Sequence, residues 1–350
     1  MMRTKQRLAA AAALVALGTL PAWAGNPDRA GSAGATQLLI NPWARSAGWG
    51  LANTASIRGV ESMFGNIAGL AHVGRTEVLF TNTTWLSGAG VQINSVGLGQ
   101  HVGASGVLGF SATTMSFGEL EVTTVDVPEG GRGTFSPSLA NIGVSYAKSF
   151  SNSIHGGMLL RVVSEAISNV RTSGICFDAG IQYVTGPLDN VHFGIALKNV
   201  GPAMQFAGDG LSVQGLLVQG SDQLTLEQRS DRFEIPSLLT IGFSYDWHVN
   251  DMHRLSFAGT FVSNSFTKDQ GILGVEYAFR KMVHLRAGYL YEDGITNDAE
   301  RTTVFTGPSA GLSVDFPFGD EKKSALAIDY GYRATNPFSG VHSIGLRITL

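Results

Sequence analysis

The sequence predicts an all-β protein, a transmembrane antiparallel β-barrel of about 14 strands preceded by an N-terminal plug segment. Three observations carry this prediction: segments in which apolar and polar side chains alternate, loops that sort into short and long sets, and an unusual composition. Charged residues make up only 15% of the 350 residues, and 45 residues are glycine. An average soluble domain is about 25% charged. Few charges and many glycines suit a barrel with lipid outside and small or polar side chains inside.

The alternation is clearest in the last segment, 341–350. One face carries the apolar side chains of Ile344, Leu346, Ile348 and Leu350, and the other carries Ser343, Gly345, Arg347 and Thr349. A period of two gives a strand two faces that meet different surroundings. In a membrane barrel the apolar face meets lipid and the other face lines the lumen.

Fourteen segments follow this pattern, and each is close to the roughly 9–11 residues that a tilted strand needs to cross a bilayer. We place the strands at 76–86, 90–101, 105–118, 139–150, 153–164, 173–185, 191–199, 237–248, 253–264, 270–279, 283–292, 309–317, 323–333 and 341–350. An even number of strands closes a barrel with the first and last strands ending on the same side.

The connections between these strands form two sets. The short connections are 101–104, 151–152, 186–190, 250–251 and 280–282, and the alternate set includes the long ones at 119–138, 165–172, 200–236, 293–308 and 334–340. Short turns on one side and long loops on the other are typical of outer-membrane barrels. The pattern therefore predicts a protein of the cell outer membrane, with the short turns and both termini in the periplasm.

The chain begins with the features of a Sec signal peptide, which we place at 1–24. Basic residues Arg3, Lys5 and Arg7 precede an apolar run, and Ala22 and Ala24 frame an A-x-A cleavage site. The apolar run is shorter than the roughly 20 residues that a membrane-spanning helix needs. We therefore expect cleavage and export, followed by a plug segment at 25–75 and the barrel at 76–350. The alternative for 25–75 is a flexible periplasmic tail, but its many apolar side chains need burial.

Two motifs in the plug segment resemble a known family. The stretch 38–48 (LLINPWARSAG) is similar to an opening of the form LLI…GAR-x-x-A-x-G, and 59–71 (GVESMFGNIAGLA) is similar to G-x-E-A-x-x-x-N-P-A-G-L-A. The second motif places Asn66, Gly69 and Leu70 at its defining positions. Over nearly the whole mature chain, the sequence resembles the PorV/PorQ family within the FadL-like superfamily. It departs from the family at Ile67, where a proline is usual, and at Trp43, where a glycine is usual.

This resemblance implies a FadL-like barrel with a plugged lumen. The PorV/PorQ branch implies a non-enzymatic part in the type IX secretion system. Such a barrel binds the C-terminal signal domain of secreted cargo and docks with translocon or surface-attachment components. The FadL branch implies instead a transporter of long-chain fatty acids or other hydrophobic molecules. We take secretion as the first hypothesis and transport as the alternative.

Inward-facing positions carry charges of both signs. They are Arg161, Asp178, Lys198, Asp246, Arg254, Glu276, Arg286, Asp329 and Arg347. A selective open pore tends to show a ring of one sign. The mixture predicts a lumen filled by ion pairs, and the alternative is a wide water-filled pore.

Two long loops supply the candidate contacts for a partner or ligand. In the loop at 200–236 these residues are Met204, Phe206, Leu211, Leu216 and Leu217, and in the loop at 119–138 they are Glu119, Glu121, Val125 and Arg132. Apolar side chains on a surface loop favour a contact surface, although the longer loop could instead pack on itself and cap the barrel. The loop at 119–138 could add an edge strand to a partner.

The sequence favours no enzyme, cofactor or metal site. It contains no G-x-S-x-G, Walker A or H-E-x-x-H motif. Its net charge of −3 offers no basic face for nucleic acid. The partners that we expect are outer-membrane lipid, secreted cargo with secretion components, and, on the alternative hypothesis, a hydrophobic small molecule.

Overall fold

The computed structural model describes residues 29, 31–216, 223–318 and 324–350. The predicted signal peptide at 1–24 lies outside these residues. In the described parts of the chain, no helix is long and apolar enough to cross a membrane. The helical elements are short: Thr36–Leu39, Ala44–Gly48, Val60–Met63, Ile67–His72 and Asp209–Leu211.

Fourteen antiparallel strands form a closed barrel, each paired with its neighbours in sequence and the first with the last. They are β1 (Thr76–Trp85), β2 (Val91–Val102), β3 (Gly106–Ser116), β4 (Ser138–Ser149), β5 (Ile154–Ile167), β6 (Val170–Thr185), β7 (Val191–Val200), β8 (Leu238–Asn250), β9 (His253–Asn264), β10 (Gln270–Phe279), β11 (Val283–Glu292), β12 (Phe305–Phe318), β13 (Ser324–Thr335) and β14 (Val341–Thr349). The predicted fold class and number of strands are confirmed.

The two faces of the wall differ as the alternation predicts. In β8, Ile241 and Phe243 are 47% and 46% exposed on the outside, whereas Gly242 and Ser244 are buried on the inside. Large apolar side chains lie exposed on the outer face of all fourteen strands. Such a belt is unfavourable in water but favourable in lipid, as in barrels that span membranes.

The connections distinguish the two ends of the barrel. Turns such as 103–105 and 251–252 lie at one end, which we call the turn end, and the three long loops, 117–137, 201–237 and 293–304, lie at the other, the loop end. The prediction of a long loop at 165–172 is wrong. Strands β5 and β6 continue until Ile167 pairs with Val170, and Ser168 closes a tight turn with a positive φ of 51°.

The plug threads the lumen from one end to the other. At the loop end, Ala33 forms a backbone bridge with Glu234 in the loop at 201–237. At the turn end, Val73 leads into β1, and the backbone of Leu350 bonds to that of Thr76. Arg29 therefore lies at the loop end and Leu350 at the turn end. Within the described residues, the plug carries the chain through the barrel, so Arg29 and Leu350 lie at opposite ends. The expectation of both termini in the periplasm stays a prediction, because the N-terminus lies outside the described residues.

A belt of inward-facing glycines lets the plug backbone touch the wall. A Cβ atom on Gly194 would lie 2.8 Å from the carbonyl oxygen of Thr54, and one on Gly157 would lie 2.9 Å from that of Ile67. The plug backbone comes similarly close at Gly242, Gly274, Gly288, Gly311 and Gly331, and plug side chains crowd Gly97, Gly109 and Gly180. Part of the high glycine content of the sequence is thus a requirement of plug packing, since only glycine permits so close an approach.

Candidate ligand-binding site

A cavity of about 460 Å³ lies in the lumen between the plug and the loop end. We call it the loop-end cavity. Its volume is within the range of small-molecule sites, roughly 300–1,000 Å³. Its apolar walls come from the plug and from the inner faces of β8 to β11, including Leu39, Leu51, Leu238, Val262, Ile272 and Leu290.

Two buried cations line this cavity. Lys198 on β7 and Arg333 on β13 are each 5% exposed, and their strands lie on nearly opposite sides of the barrel. The Lys198 ammonium lies 3.9 Å from the ring centroid of Phe64 in the plug, and the Arg333 guanidinium lies 3.4 Å from that of Phe305. Both cations therefore rest on aromatic faces, which stabilise them in part.

The two cations differ in their access to carboxylates. Asp178 lies near Lys198, but its oxygens accept hydrogen bonds from the Arg161 guanidinium and the Asn199 backbone N–H. Arg333 has no ion pair or side-chain hydrogen bond with any residue that the structure describes. A buried charge is costly unless it is paired and hydrogen-bonded. The cavity thus contains an uncompensated guanidinium beside apolar walls.

Irregular pairing at both strands places these cations. Between β6 and β7 the register shifts at Phe177 and Ala179, so Lys198 and Asn199 are both buried on the inside despite being adjacent. Between β12 and β13 the register shifts from Phe305 to Ser309. Such bulges redirect side chains, and here they bring the Phe305 ring over the guanidinium of Arg333.

Ion pairs fill the middle of the lumen and its turn-end half. They include Arg161–Asp178 (3.0 Å), Arg286–Glu276 (2.6 Å), Arg347–Asp315 (3.0 Å) and Arg254–Glu276. The predicted salt-bridged interior is confirmed for these residues. Because these charges neutralise each other, the paired residues themselves need no ionic ligand.

Titratable side chains of the plug lie beside these ion pairs. Burial alone would lower the pKa of Arg45, but Glu61, 3.6 Å away, and other carboxylates outweigh burial and raise it. For His72, burial and the nearby Arg58 lower the pKa to about 3. His72 is therefore neutral at ordinary pH, and its ring packs 4.2 Å from that of His155.

The plug motif has a structural role. The Asn66 side chain accepts a hydrogen bond from the Ala68 backbone N–H and donates one to the Ile181 carbonyl on β6, 3.0 Å away. A Cβ on Gly69 would overlap the Ile57 carbonyl. Leu70 is fully buried against wall glycines. These three residues fasten the plug to itself and to the wall, and none of them lines the cavity.

The longer loop folds back on the barrel, which corrects the prediction for Met204. This residue is 2% exposed and packs with Leu38, Val163, Cys176 and Ile235, so it offers no surface to a partner. The cause is local pairing of Met204–Gln205 with Arg232–Phe233, which turns the loop inward.

The other candidates in this loop have mixed environments. The ring of Phe206 packs against Phe233 with centroids 5.4 Å apart. Leu211 is partly buried at the end of the short helix Asp209–Leu211. Leu216 ends a strand of the ribbon Ser212–Leu216 and Gln223–Glu227, and Leu217 lies outside the described residues.

The loop at 117–137 is the more exposed of the two. Its residues Glu119, Glu121, Val125 and Arg132 are all exposed, and Val125 is fully so. A short ribbon pairs Leu120–Glu121 with Thr134–Phe135. None of the seven loop candidates whose side chains the structure describes lines the loop-end cavity. Sequence reasoning missed Arg333, although its position on the inward phase of β13, after Asp329 and Gly331, was a signal that could have identified it.

Neither metal nor thiol chemistry is evident in the described residues. They hold no group of three or more His, Cys, Asp or Glu side chains that could bind a metal ion. Cys176 is buried at 1% exposure in the cluster that holds Met204. A buried cysteine in an apolar cluster behaves as a small hydrophobic side chain.

No protein-family model and no curated protein sequence matches the chain. Among solved structures, it is similar to the toluene transporter TodX of Pseudomonas putida, with a TM-score of 0.55 and 12% identity over 88% of this chain and 97% of that one. It is also similar to the CymD monoaromatic hydrocarbon channel, with a TM-score of 0.50 and 16% identity over 88% and 96% of the two chains. It is similar as well to a FadL homologue of Pseudomonas aeruginosa, with a TM-score of 0.50 and 13% identity over 87% of this chain and 96% of that one. These likenesses show a FadL-like fold, and membership of the PorV/PorQ family stays a prediction.

Proposed function

We propose that this chain is an outer-membrane channel that takes up a hydrophobic molecule carrying one anionic group, of which a long-chain fatty acid is an example. The observation that carries the proposal is Arg333, a buried guanidinium without a carboxylate partner among the described residues, at the wall of the loop-end cavity. A ligand anion would compensate this charge, and the apolar walls would hold the rest of the ligand.

The similar structures support transport more than cargo binding. Two of them are named as a toluene transporter and a monoaromatic hydrocarbon channel. A neutral hydrocarbon would leave Arg333 without an anion, so the lining of this cavity favours a different ligand from those names. The proposal also places the turn end in the periplasm and the loop end outside, because short turns face the periplasm in outer-membrane barrels.

Binding of dodecanoate and dodecanol to the reconstituted protein tests this function, because the two probes differ mainly in charge. We expect dodecanoate to bind at least about tenfold more tightly, equivalent to about 1.4 kcal/mol. Arg333→Met should remove most of this preference. The matched control is Arg301→Met, since Arg301 pairs with Asp298 in a loop and does not line the cavity. Equal binding of the two probes by the natural protein would contradict the proposal.

The secretion hypothesis retains one supporting observation. The exposed loop at 117–137, with Val125 fully exposed and charges at Glu119 and Arg132, offers a surface that nothing in the described chain covers. Extraction of native membranes in mild detergent tests it. Co-purification of a cargo C-terminal domain that is lost on deletion of residues 122–132 would favour secretion over transport.

A further inference from the structure

Two smaller cavities continue from the loop-end cavity toward the turn end. The second, of about 30 Å³, is lined by Ser111, Thr113 and Asn141 of the wall and shares Gln37, Ile40 and Phe64 with the first. The third, of about 10 Å³, is lined by charged residues of the plug and wall and shares Trp43 with the second. The three cavities therefore form a series along the boundary between plug and wall.

Phe64 separates the first two cavities. Its side chain lines both of them and is only partly buried. On one side it is in contact with the Lys198 ammonium, and on the other it packs against the cluster of Trp43, Val60 and Leu79. A ring that borders open space on two sides can change rotamer without displacing the plug backbone.

Trp43 separates the second and third cavities. It is 1% exposed, and its indole passes close to Gly97, where a Cβ would lie 3.3 Å from the ring. Its Nε1–H is buried without a hydrogen-bond acceptor among the described residues. A buried N–H without a partner is costly, and a ligand carboxylate or a water molecule in the adjoining cavity would satisfy it.

The third cavity leads to the turn end. Two ion pairs within its charged lining are long, with 3.6 Å between Arg45 and Glu61 and 3.6 Å between Arg347 and Asp329, although Arg347 also bonds to Asp315 at 3.0 Å. The fifth charged residue of the lining, Arg58, is exposed. The lining holds three cations and two carboxylates, so its excess positive charge favours an anion that has passed the apolar part of the path.

We propose that the ligand crosses the plug through these three cavities, with Phe64 and Trp43 as two gates in series. This inference rests on the proposed function, because it assumes that the loop-end cavity is where the ligand enters. The plug stays in place, since the glycine belt holds its backbone against the wall. Passage needs only the displacement of two aromatic side chains and the separation of two long ion pairs.

The competing route would lead sideways into the lipid. The β11–β12 ladder ends at the Tyr289–Pro308 pair, although Leu290 and Phe305 just beyond it line the loop-end cavity. An exit there would bypass both aromatic gates. The two routes thus differ in their predictions for substitutions at Phe64 and Trp43. The route through the plug predicts faster passage, whereas the sideways route predicts no change.

Passage of dodecanoate into vesicles that contain the full-length protein distinguishes the routes. We expect Phe64→Ala, Trp43→Phe and the double variant each to raise the rate of passage, the double variant by roughly tenfold or more. The matched controls are Phe117→Ala and Trp85→Phe, which remove the same groups from the wall of the loop-end cavity alone. Ser111→Leu, which fills the second cavity, should slow passage while dodecanoate still binds.

Ion conductance across a planar bilayer provides a readout that needs no ligand. The natural protein should stay closed, and Phe64→Ala combined with Trp43→Ala should conduct. Gate variants that match their controls in both passage and conductance would overturn the route, as would unchanged passage in Ser111→Leu. A natural protein that fails to bind dodecanoate while the double variant conducts would count against the proposed function but not against the path. Resistance to trypsin would verify that each variant is folded.

Discussion

Single residues decide which parts of the lumen accept a ligand. Arg347 and Arg333 both point inward from neighbouring strands, yet Arg347 bonds to Asp315 whereas Arg333 meets, among the described residues, only the ring of Phe305. The alternation of side chains predicts that both face the lumen, but it cannot predict which of them meets a carboxylate. That depends on the register of nearby strands and on the bulge that brings Phe305 over Arg333. For this reason the charged interior could be predicted from the sequence and the cavity could not.

His72 gives a prediction at the same scale. Its folded-state pKa of about 3 lies below the ordinary value of 6.5, so the unfolded chain binds a proton first as the pH falls. The stability that neutral His72 contributes is complete above pH 6.5 and declines as the pH falls from 6.5 toward 3. The loss is at most about 1.4 kcal/mol per pH unit.

Unfolding by urea in detergent, above and below pH 6.5, measures this effect. Compared with the natural protein, His72→Asn should lose less free energy of unfolding on acidification. The neighbouring Arg58 and His155 remain in both proteins, so their contributions cancel in the comparison. Equal losses in the two proteins would mean that His72 does not govern the acid sensitivity.

At the scale of elements, strands and plug depend on different features of the sequence. The strands follow from a local period of two, which is why their positions were predicted to within a few residues for most of the barrel. The prediction of a long loop at 165–172 is wrong because β5 and β6 extend with polar residues such as Glu165 and Arg171, which lack the apolar alternation that marks the other strand segments. The plug has no comparable period, because its conformation is imposed by contact with fourteen strands.

The glycine belt permits a matched test of this contact. A Cβ on Gly288 would overlap the Trp49 carbonyl, whereas one on Gly271, on the outer face of β10, would meet nothing within 4 Å. We expect Gly288→Ala to lower the free energy of unfolding by about 1–3 kcal/mol, as overpacking does, and Gly271→Ala to leave it unchanged or slightly raised. Thermal unfolding in detergent measures both. Similar free energies of unfolding for the two variants would show that the plug can shift to accommodate an added methyl group on the wall.

In the whole molecule, the barrel encloses the plug, which runs along the lumen from the loop end to the turn end. An epitope inserted just before Arg29 should therefore be accessible together with one in the exposed loop at 117–137. A third epitope, in the turn at 251–252, should be accessible only from the other side. Antibody labelling of intact and permeabilised cells measures this. An N-terminal epitope that labels together with the turn epitope would contradict the threading.

The threading also constrains how the molecule can be assembled. Residues 44–72 fill the lumen against glycines on most of the strands, so they could not slide in once the ring is complete. β1 follows the plug directly, and β1 pairs with β14 to close the ring. The last strand pair to form must therefore close the barrel around a plug that is already in place. The residues that precede the plug must by then lie at the loop end. A bulky, stably folded protein fused ahead of the plug should stall the barrel as an open sheet, whereas the same fusion after Leu350 should not.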